Sequence, residues 1–417
     1  MQIAVIGGGV IGVCTAYFLV EAGHQVVLIE RHNNVAEQAS FGSAGLLAPG
    51  QVAPWGAPGM PGMPGLLLST LFRSGAPVTL RTSMNRALWR WVRQWMDECK
   101  LERYMINRER MQRVAYYSRS VMQNLCSRHG LEFERTSGYL QLYRHSADLQ
   151  RAQPALELLD DYGAAFQVLD PDAARALEPG LAAQADLAGA LHLPDGEAGN
   201  CPLFTKQLKH KAQDMGVEFH FNTRVRSIAR EDGRIALRID EQRFHADAVV
   251  LAAGADSASL LASLGINVPL VPVKGYSVTA PIRNFDEAPL AALMDDASKV
   301  AIMRMGARIR IAGAAELGAT DMAVNEAATR ALIKAADHWF PNAANYNAAQ
   351  FWSGARPMLP DGAPLLGETP IRNLYVNIGH GACGWAMAAG CGRILADVIS
   401  GRAPEIDMDG LTLSRYG

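Results

Sequence analysis

The sequence predicts a two-domain α/β protein: a discontinuous, Rossmann-like domain, plus a second domain with a mixed, largely antiparallel sheet and covering helices. Three observations lead there. Residues 2–30 read strand, glycine turn, helix, strand, as "QIAVI", "GGGVIG", "VCTAYFLVEAG" and "HQVVLIE". Two more apolar strands that run into glycine turns, "AVVLAAG" and "LYVNIGHG", return only much later in the chain. Between them "LVPVKGYSVTAPI" and "RIRIAGAAEL" alternate like half-exposed antiparallel strands. At 417 residues and 49% apolar composition the chain exceeds what one core usually serves. The expected division is residues 1–50, 196–265 and 351–417 for the first domain, and 51–195 with 266–350 for the second.

The elements follow in order. The first strand is an uninterrupted apolar run, the pattern of a parallel strand covered on both faces. From residue 40 to 65, "SFGSAGLLAPG" and "PWGAPGMPGMPG" hold too much Gly and Pro for a regular helix, so a shaped loop is expected. Residues 82–128 read as surface helices and "GYLQLY" as a strand. "LFTKQLKHKAQDMG" is a helix closed by Gly216, and "RIALRIDEQRFHADAVVLAAGADS" is a hairpin leading into a buried strand. The C-terminal "NLYVNIGHGACGWAMAAGCGRILADVISG" reads strand, glycine turn, helix.

Composition narrows the function. Thirty-nine basic against forty-one acidic residues leave a net charge of −2. That balance gives no general field for nucleic acid, and a small neutral or zwitterionic partner fits better. Six cysteines without CxxC pairing or zinc-ligand spacing predict neither a disulfide framework nor a structural metal. No basic n-region with a cleavage site opens the chain, and no window of about eighteen residues is purely apolar. A cytoplasmic protein without a membrane-spanning segment is expected.

Gly7, Gly9 and Gly12 form G-x-G-x-x-G between a strand and a helix. Gly7 permits the turn, Gly9 lets backbone approach a pyrophosphate, and Gly12 lets helix and strand pack closely. Val10 and Ile11 complete the phosphate-facing turn. Glu30, at the end of the second strand, is placed to accept ribose hydroxyls and to disfavour a 2′-phosphate; Arg31 either flanks the adenosine or is a solvated surface arginine. NAD and FAD share this fingerprint. A nicotinamide enzyme would continue with contiguous βα units, whereas here the Gly/Pro-rich loop follows.

In "VIGGGVIGV", "SFGSAGLLAPGQVAPWGAPG", "LQLYR", "LPDGEAGNCPLFT", "PVKGYSVTAPI", "RIRIAGAAEL", "FWSGARPMLPDGAPLLG" and "NIGHGACGWAMAAG", the chain resembles the FAD-dependent D-amino acid dehydrogenases. These sit within the group of D-amino acid oxidase, glycine oxidase and sarcosine oxidase. The resemblance runs end to end and implies FAD held by the α/β domain, with an antiparallel sheet roofing the flavin. By the same resemblance Ser40, Ser43, Ala44, Gly45 and Leu46 pass beside the isoalloxazine. Val225 touches the adenine side, and Ala253 with Gly254 closes over the dinucleotide. Gly379, Gly381, Gly384 and Trp385 bring backbone N–H groups and a helix N-terminus to the pyrimidine edge.

The resemblance also assigns Arg356, in the Gly-Ala-Arg-Pro run, to the carboxylate of the amino acid. A planar guanidinium suits that task, since it grips a carboxylate through two parallel hydrogen bonds. The alternative is a structural arginine paired with Asp361. Tyr276 is a candidate hydrogen-bond donor to substrate, and His380 a contact to the flavin or the amino group; packing roles compete for both. Lys274 and Lys299 are candidate charges near the flavin. Ser298 stands where relatives carry an aromatic residue, which leaves the substrate's identity open.

The implied reaction is deamination of D-amino acids to 2-oxo acids and ammonia, with a quinone or an artificial acceptor taking the electrons. Secondary amines such as D-proline, hydroxyproline or sarcosine are the rival substrates. A soluble nicotinamide dehydrogenase and a non-catalytic flavin module are rival classes. Residues 84–100, "MNRALWRWVRQWMDECK", set Trp89, Trp91 and Trp95 beside Arg86, Arg90 and Arg93. Such a helix either packs between domains or settles peripherally on the inner face of the bacterial plasma membrane. The three tryptophans do not share one helical face.

Overall fold

A computed structural model of the chain describes residues 1–58, 78–80, 86–161, 163–231 and 233–416. Strand Gln2–Ile6, helix Val10–Glu21 and strand Gln25–Ile29 form the opening βαβ unit, with Ile3 beside Val26 in parallel register. Distant strands complete a six-stranded sheet. Its order is Leu365–Glu368, Leu374–Ile378, Ala248–Leu251, Gln2–Ile6, Gln25–Ile29, Glu218–His220, parallel throughout except for the first pair.

Side-chain alternation along the strands sends neighbours to opposite faces. Ile3, Val5, Val26, Leu28 and Val250 pack with helices Val10–Glu21, Leu101–His129, Cys201–Asp214 and Gly384–Ile399. Ala4, Ile6, Val27, Val249 and Leu251 pack with Ile228, Ile235 and Leu237 of a three-stranded antiparallel meander. Burial on both faces explains why these strands carry unbroken apolar runs.

The second sheet is larger and mostly antiparallel. Its path runs Gln350–Met358, Val271–Pro281, Arg308–Leu317, Val300–Met305, Ala292–Asp295, Thr136–Tyr143, Gly189–Ala198, Leu46–Leu47. Helix Glu326–Trp339 covers one face through Leu332, Ala335, Ala336 and Trp339, which pack on Tyr276, Val278, Ile302 and Ile311. The strand Gln350–Met358 departs from the expected division at residue 351. It pairs with Val271–Pro281 from Thr279↔Gln350 to Val271↔Met358, and so belongs to the second sheet. It is the edge of that sheet, where Pro357 is tolerated without an amide to donate. The expected loop over 40–65 also contributes: Leu46–Leu47 pairs with Ala198 and Glu197. Residues 59–65 of that stretch lie outside the described residues.

Helix Arg86–Glu98 buries Leu88, Trp91 and Trp95 against Val273 and Met358, with Trp55 packed alongside, while Trp89 stands 58% exposed. Met84 and Asn85 lie outside the described residues.

Candidate active site

The first turn of helix Val10–Glu21 has no side-chain cap at Gly9 and no acidic residue, which leaves its positive end open to an anion. Gly7, at φ +113°, donates its N–H to Ile29 O, and a Cβ there would fall 2.4 Å from Ala252 O. A Cβ on Gly12 would fall 1.9 Å from Gly7 O. Only glycine fits either place. Glu30 accepts hydrogen bonds from the Gly8 and His32 N–H groups, at 2.6 and 2.8 Å. The carboxylate therefore sits at the mouth of the glycine turn. Val10 donates its N–H to Ser40 Oγ (3.0 Å), and Ile11 O accepts from Thr15.

Arg31 pairs with Asp256 and so ties the second strand's end to the turn at Ala253 and Gly254, which follows strand Ala248–Leu251. Val225 opens the meander, two residues after Thr223 donates to Glu30 O. Gly45 O accepts from Trp385 Nε1 (3.1 Å) and from Gly199 N–H, while Ser43 Oγ accepts from Gly45 N–H. Ala44 and Leu46 flank these contacts. The bond from Trp385 brings the N-terminus of helix Gly384–Ile399, uncapped by any side chain, beside the Ser40–Leu46 segment. Gly379 and Gly381 shape the turn before it, at φ +81° and +56°.

His380 lies in that turn, 3% exposed, and its Nε2 has no partner among the described residues. Burial pushes its pKa down to about 3, so the ring is neutral at ordinary pH. Its Nε2 is a hydrogen-bonding atom without a partner among the described residues.

Arg356 projects from strand Gln350–Met358 and donates to Ala314 O (2.8 Å) and Gly313 O (3.1 Å). Those carbonyls are turned by a bulge: Lys274 opposes Glu316 while Tyr276 opposes Gly313, and Ala314 takes φ +50°. Among the described residues no carboxylate pairs with Arg356. The alternative partner, Asp361, pairs instead with Arg415 Nε at 2.6 Å. Burial lowers the Arg356 pKa to about 10, which leaves it cationic at neutral pH.

Tyr276 is not brought to this guanidinium. Residues opposite one another in an antiparallel pair share a face. Arg356 opposes Val273 and Trp352 opposes Ser277, whereas Tyr276 opposes Ser353 on the other face. Its hydroxyl donates to Glu316, and Lys274 lies over its ring and pairs with Asp321. The expected substrate contact from Tyr276 is therefore corrected to a buried Tyr–Glu hydrogen bond. Lys299 pairs with Asp296 and is exposed, and Ser298 donates to the buried Asp295.

Two residues on the Arg356 face escaped the sequence reading. Arg310 is 5% exposed, donates through Nε to Thr279 Oγ1 (3.0 Å), and holds the carbonyls of Phe41 and Ser43. Its neighbour Arg308 pairs with Glu134 at the surface. Nothing local distinguishes the two arginines, two positions apart on one strand. Trp352 lies on the same strand face as Arg356, a relation that period two makes visible in the sequence.

The family model described as DAO, FAD dependent oxidoreductase, matches residues 2–398. The chain belongs to this family. D-amino acid dehydrogenase 1 of Mesorhizobium japonicum is 40% identical over 419 residues, covering 100% of both chains. The D-amino acid dehydrogenase of Bradyrhizobium diazoefficiens is likewise 40% identical, covering 100% of this chain and 99% of that one. Among solved structures, glycine oxidase from Geobacillus kaustophilus superposes with a TM-score of 0.78 at 23% identity, covering 100% of this chain and 99% of its own. The last comparison speaks to the fold.

FAD is accordingly the cofactor of this FAD-dependent oxidoreductase. The residues present fit it: a turn that admits no Cβ, an open helix end, a carboxylate beside that turn, and the orphaned Nε2 of His380.

Proposed function

We propose that this oxidoreductase deaminates D-amino acids, and that Arg356 holds the α-carboxylate. The observation that carries this is a half-buried, cationic guanidinium with no carboxylate partner among the described residues, anchored there by two main-chain carbonyls. A charge partly withdrawn from water without a counter-ion is costly, and a substrate carboxylate relieves that cost. Names of the relatives at 40% identity support the substrate class. FAD, when bound, supplies the two-electron acceptor for the hydride leaving Cα.

The chain's part is placement. With the carboxylate gripped at two points, rotation of the amino acid is restricted and one Cα–H faces a fixed direction. The glycine turn and helix end hold the cofactor's phosphates, and the Gly379–Trp385 backbone presents N–H groups. The imino acid released is hydrolysed by water to a 2-oxo acid and ammonia. A quinone or another acceptor takes the electrons.

The test is anaerobic bleaching of the flavin by a panel of D- and L-amino acids, D-proline and sarcosine. D-amino acids are expected to bleach fastest, and Arg356→Leu to weaken their apparent affinity by about 2–5 kcal/mol. An unchanged affinity in that variant refutes the clamp.

Peripheral membrane contact from the cytoplasmic side belongs to the same proposal. Arg86, Trp89, Arg90 and Arg93 are all exposed on helix Arg86–Glu98, which supports attraction to anionic headgroups. Co-sedimentation with phosphatidylglycerol vesicles is expected, and should fall in Trp89→Ser/Arg90→Ser; equal sedimentation of both proteins counts against the contact.

A further inference from the structure

Gly275 and Gly354 face one another across strands Val271–Pro281 and Gln350–Met358. A Cβ on Gly275 would fall 2.1 Å from Cζ of Arg356, and one on Gly354 would fall 2.3 Å from Cζ2 of Trp352. Opposed Cβ positions in an antiparallel pair lie about 4.5–5.5 Å apart. The guanidinium and the indole therefore lie side by side over one bare patch of backbone. They converge from opposite ends of it, Arg356 beside Val273 and Trp352 beside Ser277.

The far side of the indole is also hemmed in. A Cβ on Gly42 would fall 2.0 Å from both Cε3 and Cζ3 of Trp352. The ring is wedged between the strand and the Phe41–Ser43 segment. That segment is itself held, because the buried Arg310 donates to the carbonyls of Phe41 and Ser43. Loop, strand and ring form one braced unit next to the clamp.

We propose that Trp352 is the specificity-determining wall of the amino acid site, limiting the side chain that fits beside a carboxylate held by Arg356. The inference rests on the D-amino acid reading above. An indole presents roughly 150–250 Å² of surface, and this one is braced on both sides. A small side chain, as in D-alanine, fits beside it. An aromatic one, as in D-phenylalanine, must displace the ring.

The experiment compares kcat/KM for anaerobic flavin reduction by D-alanine and D-phenylalanine in the wild-type holoenzyme, Trp352→Phe and Trp352→Ala. A single misfit methylene in an apolar pocket changes selectivity by about 10–200-fold, so the D-phenylalanine to D-alanine ratio should rise at least about tenfold in Trp352→Ala and less in Trp352→Phe. A ratio that stays within about twofold of wild type in both variants overturns the wall. A second arm needs no turnover: flavin spectral titration with propanoate and 3-phenylpropanoate, whose affinity ratio should shift the same way. If no D-amino acid bleaches the wild type, the substrate reading fails, and the carboxylate titration alone decides on the wall. If Trp352→Ala does not retain flavin, Trp352→Phe carries both arms.

Discussion

Arg356, half-buried, and His380, buried, are both nitrogen groups of the candidate site, and withdrawal from water acts on them with opposite outcomes. The guanidinium falls only to about 10 and stays charged across the useful range; the imidazole falls to about 3 and stays neutral. Affinity for a carboxylate should then hold through neutral pH, where the fork keeps its proton. His380 should add no ionisation between roughly pH 5 and 9. In a pH profile of anaerobic flavin reduction, His380→Gln is expected to change the height and leave the inflections in place; loss of an inflection would make His380 a titrating participant. The position of Arg356 in a stiff strand was legible because a Gly-x-Arg-Pro run is a local pattern; its carboxylate role came from the resemblance. The fate of Tyr276 was not, because the face it occupies depends on its cross-strand partners.

Helix Arg86–Glu98 shows how an element divides its aromatic residues. Trp91 and Trp95, four apart, stack at 6.3 Å between ring centroids and meet Trp55, whereas Trp89 faces solvent. Helical spacing alone foretold that the three tryptophans would split. Trp91→Ala should cost about 3–5 kcal/mol of unfolding free energy, and Trp89→Ala should stay within about 0.5 kcal/mol. Chemical denaturation of the two holoproteins checks this; equal losses would mean that Trp89 carries packing as well. The strand Gln350–Met358 was harder to read. Its glycine and proline resemble loop punctuation, and only its position at the sheet edge makes them compatible with a strand.

Long-range ties hold the second sheet's surroundings, and one of them titrates. Glu178, after helix Pro171–Leu177, is 0% exposed and accepts hydrogen bonds from the N–H groups of Leu290 and Ala291. Burial outweighs those bonds and raises its pKa from 4.5 to about 7. The native fold thus holds the proton more tightly than the unfolded chain. This group's contribution to stability is complete below about 4.5 and is lost as pH rises through about 7. The shift corresponds to roughly 3 kcal/mol. Glu178→Gln should flatten that part of the stability curve, so wild type minus variant, measured by melting, should fall between pH 5 and 8 by about that order. A constant difference across the window would show that Glu178 does not titrate there.

The sequence by itself determined the opening βαβ unit, the glycine turn with Glu30, the discontinuous parallel sheet and the placement of a cation in a stiff, apolar run. Each is written in spacings of a few residues, where helix period, strand period and backbone sterics act directly. The tertiary structure alone decided that Asp361 goes to Arg415, that Arg310 is buried while Arg308 is not, and that Trp352 lies beside Arg356. These are outcomes of register and of competition for partners between segments far apart in the chain. Local periodicity sets which residues share a face, but not what that face will meet.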